Sequence, residues 1–167
     1  MSSTQHSTDR VERATIEADP NLPTCKIVRD FDAPPEKVFR AWTDPELVAK
    51  WMGPRSVDMD IKEWDAKTGG HYRYDALQEG EVVASFYGSF HEVRPHERLV
   101  QTFTWEGMPD GVSLDINTFV DLGDGRTRIE SLSVLESIEA RDGMLSSGME
   151  VGIHEGYEKL DELLREL

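Results

Sequence analysis

The chain has 167 residues, a formal net charge of −15 and 38% apolar residues, enough for one domain with a sizeable core and too little for two. The acid excess disfavours nucleic acid and anionic membrane as partners, because both would repel this surface; acidic surfaces mostly serve solubility, so the charge is not itself evidence for a basic ligand. No apolar run approaches the roughly 18 residues of a bilayer-spanning helix, and the lone Cys25 permits neither an intrachain disulfide nor a cysteine metal cluster, so a cytoplasmic protein without membrane insertion is expected.

Residues 1–20, MSSTQHSTDRVERATIEADP, are polar and lack the apolar h-region of a signal peptide. They read as a disordered tail, with 21–167 as the single domain. Thr24 to Phe31 reads as the first strand, in which Cys25 is a small buried residue. The Ala33-Pro34-Pro35-Glu36 turn then launches a short helix through Phe39, Ala41 and Trp42, with Asp32 as its cap and proline in its first turn. A second short helix starts at Asp44-Pro45-Glu46, capped by Asp44, and stops at Gly53-Pro54.

From Val57 to Val134 the hydrophobic period becomes two. Lys67-Thr68-Gly69-Gly70, Gln78-Glu79-Gly80, Arg94-Pro95-His96-Glu97, Gly107 to Gly111 and Gly123-Asp124-Gly125 separate six strands. Parallel neighbours would need crossovers of a dozen residues or more, so these short links predict an antiparallel meander. Val82, Ala84, Phe86, Gly88, Phe90 and Val112, Leu114, Ile116, Thr118, Val120, Leu122 alternate with polar residues and mark its dry face.

Arg141 to Leu167 reads as one closing helix. At 100° per residue, Leu145, Met149, Gly152, Ile153, Gly156, Leu160, Leu163, Leu164 and Leu167 share an arc of roughly 120°, while His154 and Asp161 point elsewhere. Glycines at 148, 152 and 156 cost about 1 kcal/mol each against alanine within a helix, which implies close packing, retained space or a subunit contact. The order of elements is α+β: a curved antiparallel sheet wrapped around a long C-terminal helix, with two short helices after the first strand plugging an open end.

Four stretches carry a resemblance: FDAPPEKVFRAWTDPELVAKWMGP, FYGSFHEVRPHERLVQTFTWEG, DGRTRIES and RDGMLSSGMEVGIHEGYEKLDELL. The chain resembles the helix-grip superfamily of START lipid-transfer domains, polyketide cyclases and the birch-pollen allergen. Within it, the chain is most similar to bacterial homologues of the C-terminal domain of the heat-shock-protein ATPase activator. The resemblance implies a helix-grip fold with a cavity between sheet and closing helix. The eukaryotic co-chaperone carries a further N-terminal domain where only the tail is expected here.

The chemistry is correspondingly sparse. His91-Glu92-Val93-Arg94-Pro95-His96 misses the HExxH zinc spacing by one residue, and Pro95 forbids the helix that motif requires. No nucleophile elbow, Walker loop or dinucleotide fingerprint is present, and no cofactor or metal is expected. Aromatic residues suit an apolar pocket, so Trp51, Tyr72, Tyr74, Tyr87, Phe103 and Trp105 are the candidate ligand-binding set, with Trp51 at the place where the resemblance puts a pocket wall. Met144, Met149 and Gly152, in the methionine-bearing first half of the closing helix, are the candidate roof. Core filling is the competing role for each.

Three readings follow. The first is non-catalytic binding of a small apolar or amphipathic ligand. The second is an interaction module, acting on a chaperone or on itself as a homodimer. The third is a cyclase-like or hydrolase-like enzyme, for which Tyr72, Tyr87 or His91 would point inward beside a carboxylate.

Overall fold

The computed structural model describes residues 10–167. Eight strands form one antiparallel sheet in the order β1-β2-β8-β7-β6-β5-β4-β3. They are β1 (Thr15–Ala18), β2 (Thr24–Phe31), β3 (Asp58–Trp64), β4 (His71–Gln78), β5 (Glu81–Arg94), β6 (Arg98–Trp105), β7 (Ser113–Gly123) and β8 (Arg126–Val134). The helices are α1 (Pro35–Thr43), α2 (Pro45–Trp51), α3 (Ile138–Ser146) and α4 (Met149–Glu166). The six-strand meander stands where the turns placed it: three of them carry glycines at positive φ, Gly69 at 86°, Gly80 at 82° and Gly123 at 78°, and the Arg94–Glu97 turn has His96 at 67°. Register shifts within the pairings of β3–β4, β4–β5, β5–β6 and β7–β8 bend the sheet into a trough.

Four local expectations are corrected. The presumed tail contains β1, paired with β2 from Thr15↔Val28 to Ala18↔Cys25, and Val11 exchanges hydrogen bonds with Asp30; the part of that expectation on residues 1–9 lies outside the described residues. Asp32 does not cap α1: the cap position is Pro34, without a side-chain bond, and the Asp32 carboxylate pairs with Arg10. Asp44 does cap α2, accepting from the Glu46 N–H at 3.0 Å.

The single closing helix is two. Gly148 stands at φ 88° between α3 and α4, a conformation that a β-carbon resists. The helical stripe hid the break because Leu145 and Met149 keep its spacing across Ser146-Ser147-Gly148.

The fourth correction concerns β7. Its concave phase is Ser113, Asp115, Asn117 and Phe119, not Leu114, Ile116, Thr118 and Val120. The apolar phase faces outward, where Ile116 sits opposite Val100 and Leu132. Both phases bear some apolar residues, so alternation alone chose the wrong one.

The dry core lies at one end of the trough. Phe31, Phe39, Trp42, Trp51, Phe119 and Tyr157 form a continuous ring cluster with centroids 4.6–6.2 Å apart. Leu160, Leu163 and Leu164 of α4 are buried with it. Asp161 does not face solvent alone: its carboxylate takes the Arg29 guanidinium of β2 at 3.1 and 2.5 Å. Arg29 also lies over the Phe31 ring.

Candidate functional site

The concave face divides in two. Under α1, α2 and the second half of α4 it carries the buried ring cluster and leucines of the core. Toward β4, β5 and β6 it carries a second aromatic group, in which Tyr72 stacks on Tyr74, Tyr74 meets Phe86, and Phe86 stacks on Phe103, each pair 5.2–6.0 Å apart. Phe86 and Phe103 are only partly buried, as are Met144, Leu145, Met149 and Ile153 of the α3–α4 arm, all packed against the edge of the core. This half-covered aromatic floor, with the partly buried residues of α3 and α4 on the same core, is the candidate site.

Its middle is polar. Register places Gln101, Asp115, Ser133 and Cys25 in one row across β6, β7, β8 and β2. Asp115 Oδ1 accepts from the Ser133 hydroxyl at 2.8 Å and the Ser113 hydroxyl at 3.4 Å. In the next row, Ser131 donates to Asn117 Oδ1 at 2.6 Å. Asp115 keeps some accessible surface, yet desolvation pushes its carboxyl up to about 6 against the lowering effect of the two hydroxyls. Tyr72 and Tyr74 on the floor and Tyr157 on α4 are near enough to feel its charge, though burial is the main cause that raises all three phenols, Tyr157 to about 12.

The expected site residues separate in this geometry. Tyr74 and Phe103 lie together on the floor. Tyr72 joins them but is only 2% exposed, and its hydroxyl is spent on the Thr102 carbonyl at 2.5 Å. It reaches that carbonyl because residue 88 is glycine: a β-carbon there would stand 2.0 Å from the same oxygen and 2.6 Å from the tyrosine hydroxyl. Trp105, 46% exposed, shares the Phe103 phase at the far end of β6, opposite Phe86. Met144 and Met149 flank the α3–α4 break.

Trp51, Tyr87 and Gly152 do not join the floor. Trp51 is 5% exposed in the dry core, its indole N–H donating to the Ala41 carbonyl at 2.8 Å. Tyr87 is on the opposite phase of β5 and 40% exposed. A β-carbon on Gly152 would meet Pro54 Cδ at 3.5 Å, and one on Gly156 would meet the Trp51 carbonyl oxygen at 3.2 Å. These glycines let α4 approach the loop after α2, not the sheet. His154 is less solvated than its helical angle implied, with a side chain 16% exposed near Glu150.

Phe86, Gln101 and Asp115 were not among the expected site residues. Phe86 was legible in the β5 alternation; Asp115 emerges only when β6, β7 and β8 are set in register. His91 is exposed, and the inward carboxyl belongs to Asp115 rather than to a neighbour of His91 or Tyr87. Two open depressions lie elsewhere: about 480 Å³ between α2 and β3, including Pro45, Ala49, Met59 and Trp64, and about 370 Å³ beside His71, Arg73, Tyr87 and Glu106. Among the described residues no group of three His, Cys, Asp or Glu is arranged to hold a metal, and no helix is long and apolar enough to cross a membrane.

The family model for activator of Hsp90 ATPase homolog 1-like protein matches residues 32–165. The chain belongs to this family. The Hsp90-activator-like assignment agrees with the resemblance of the four sequence stretches. Solved structures similar to this Hsp90-activator-like chain include a Rhodobacter sphaeroides protein, 25% identical, with 93% of this chain and 100% of that one covered at a TM-score of 0.84. A protein from Arthrobacter aurescens is 26% identical over 92% of each chain, with a TM-score of 0.82. One from Chromobacterium violaceum is 27% identical over 85% of this chain and 96% of that one, with a TM-score of 0.71. No curated protein is similar enough to count as a match.

Proposed function

We propose that this protein holds a small apolar or amphipathic molecule on the concave floor of the sheet, beside the α3–α4 arm, and binds it without transforming it. The observation that supports this reading is the Tyr74–Phe86–Phe103 run. These rings lie on the face that is dry under α4, yet Phe86 and Phe103 are left partly uncovered. Burying such surface contributes roughly 25 cal/mol per Å², a sufficient driving force for a small ligand. Native mass spectrometry of freshly purified protein tests the reading. A co-purifying adduct lost on Phe103→Asp supports it; bare protein that also takes up no added alkyl or aromatic probe overturns it.

The second reading, a co-chaperone-like module, rests on the family description. Its experiment is ATP turnover by an Hsp90-type chaperone with and without this protein at low salt. Unchanged turnover together with no recovered complex rejects it.

A further inference from the structure

The row across the trough contains a carboxylate without a counter-charge. Two acidic side chains drawn toward the interior obey the rule that buried charge is paired. Asp30 faces Arg128 at 2.7 and 3.0 Å, and Asp161 takes Arg29. Asp115 has no ion pair among the described residues. Its Oδ1 is occupied by Ser113 and Ser133, while Oδ2 accepts no hydrogen bond among the described residues and is not sealed from solvent. Gln101, directly opposite on β6, adds a second polar head to the same spot.

The surroundings say what completes it. Phe103 lies two residues along β6 from Gln101, and the aromatic run continues outward through Phe86 on β5 to Tyr74 on β4. At about 4.8 Å per strand, the path from β7 to β4 is roughly 14 Å long. One end of the path offers an unfilled anionic acceptor and the remainder offers ring faces, which also attract cations. We propose that Asp115 is the anchor for a lipophilic amine: a protonated amino group donates to Oδ2, and the apolar body lies along Phe103 and Phe86. A carboxylate-headed molecule of the same shape would instead meet a like charge at Asp115. This rests on the ligand-binding reading above and adds the chemistry of the head group.

The test is calorimetric titration at pH 7.5 with n-octylamine, n-octanol and sodium octanoate, which share a tail and differ in the head. Octylamine is expected to bind roughly tenfold tighter than octanol, the scale of one charge-assisted hydrogen bond, and octanoate weakest of all. In Asp115→Asn the amine preference should vanish while octanol binding persists. Equal affinity for amine and alcohol in the unaltered protein, or an unchanged preference in Asp115→Asn, overturns the amine anchor and leaves the ligand-binding reading standing. Absence of binding by all three overturns both. The comparison within the unaltered protein decides the matter even if the variant does not fold, and backbone amide shifts at Gln101, Asp115 and Ser133 on adding octylamine locate the head group.

Discussion

Arg29 and Asp161, 132 residues apart in sequence, close a bidentate pair between β2 and α4 with the Arg29 side chain almost wholly buried. The pair fixes the second half of α4 over the dry core, where Tyr157 and Leu160 enter the ring cluster. Removing the acid leaves a buried cation without its partner, which is worse than never having had the pair. Asp161→Ala is expected to cost about 3 kcal/mol in urea unfolding, while the double variant Arg29→Met, Asp161→Leu regains most of it. A loss under about 0.5 kcal/mol would place the pair in the class of surface bridges.

The titration of Asp115 runs against the usual carboxylate sense. Its carboxyl is raised to about 6 from 3.8, with burial as the leading cause. Between these values the folded protein holds a proton that the unfolded chain has released, so stability falls as pH rises through that window. Asp115→Asn is therefore expected to gain stability above pH 6, by at most about 3 kcal/mol, and to be near neutral below pH 4. Urea midpoints at pH 7.5 and 4 measure the difference; an equal effect at both would contradict it.

Asp30 behaves in the opposite way. Burial raises its carboxyl, but the Arg128 hydrogen bonds and the Val11 N–H outweigh this and hold it below the ordinary value. Its contribution is complete above the unfolded pKa and is lost as pH falls through the lower folded one. The apparent stability of Asp30→Asn should therefore approach that of the unaltered protein only in acid below the ordinary carboxylate range, and urea midpoints followed down through that range measure the convergence.

Two glycines one helical turn apart on α4 are predicted to respond differently to alanine. A β-carbon at Gly152 meets Pro54 at ordinary contact distance, so Gly152→Ala should stabilise by up to about 1 kcal/mol through helix propensity. At Gly156 the β-carbon lies 3.2 Å from a backbone oxygen of Trp51. There the gain should be cancelled or reversed. Thermal denaturation of the two variants side by side separates them.

Gly88→Ala is predicted to be more damaging than either. The new methyl would stand 2.0 Å from the Thr102 carbonyl and displace the Tyr72 hydroxyl that bonds it. A loss of about 3 kcal/mol is expected, together with a changed near-ultraviolet circular dichroism signal from the Tyr72–Tyr74 stack. Retention of both stability and that signal would show that the floor relaxes around the methyl.

Much of the architecture was readable because its punctuation is local. Asp44 before Pro45 caps α2, and Gly123-Asp124-Gly125, with φ of 78°, 54° and 72°, can only reverse the chain. Gly148 was equally visible, but a continuous apolar stripe outweighed it. The site was harder to read for a different reason. Phe103 and Tyr74 were found as aromatics in strands, yet Asp115 sits on the polar phase of β7, and polar residues in a strand ordinarily face water. Only strand register turns Gln101, Asp115 and Ser133 into neighbours, and register depends on bulges, such as the one between Phe90 and Glu92, that no short window encodes.

The α3–α4 arm is moored at two points. Arg141 in α3 donates from one guanidinium nitrogen to the carbonyls of Asp19, Leu22 and Thr24, which fastens it to the loop between β1 and β2. Asp161 fastens the other end. Between them, Glu155 and Lys159 also bond the loop after α2, so the least tethered stretch is the one around the left-handed Gly148 and the methionines 144 and 149. Rotation of a few backbone bonds near that one glycine would shift the start of α4 while the sheet, the core and both anchorages keep their places.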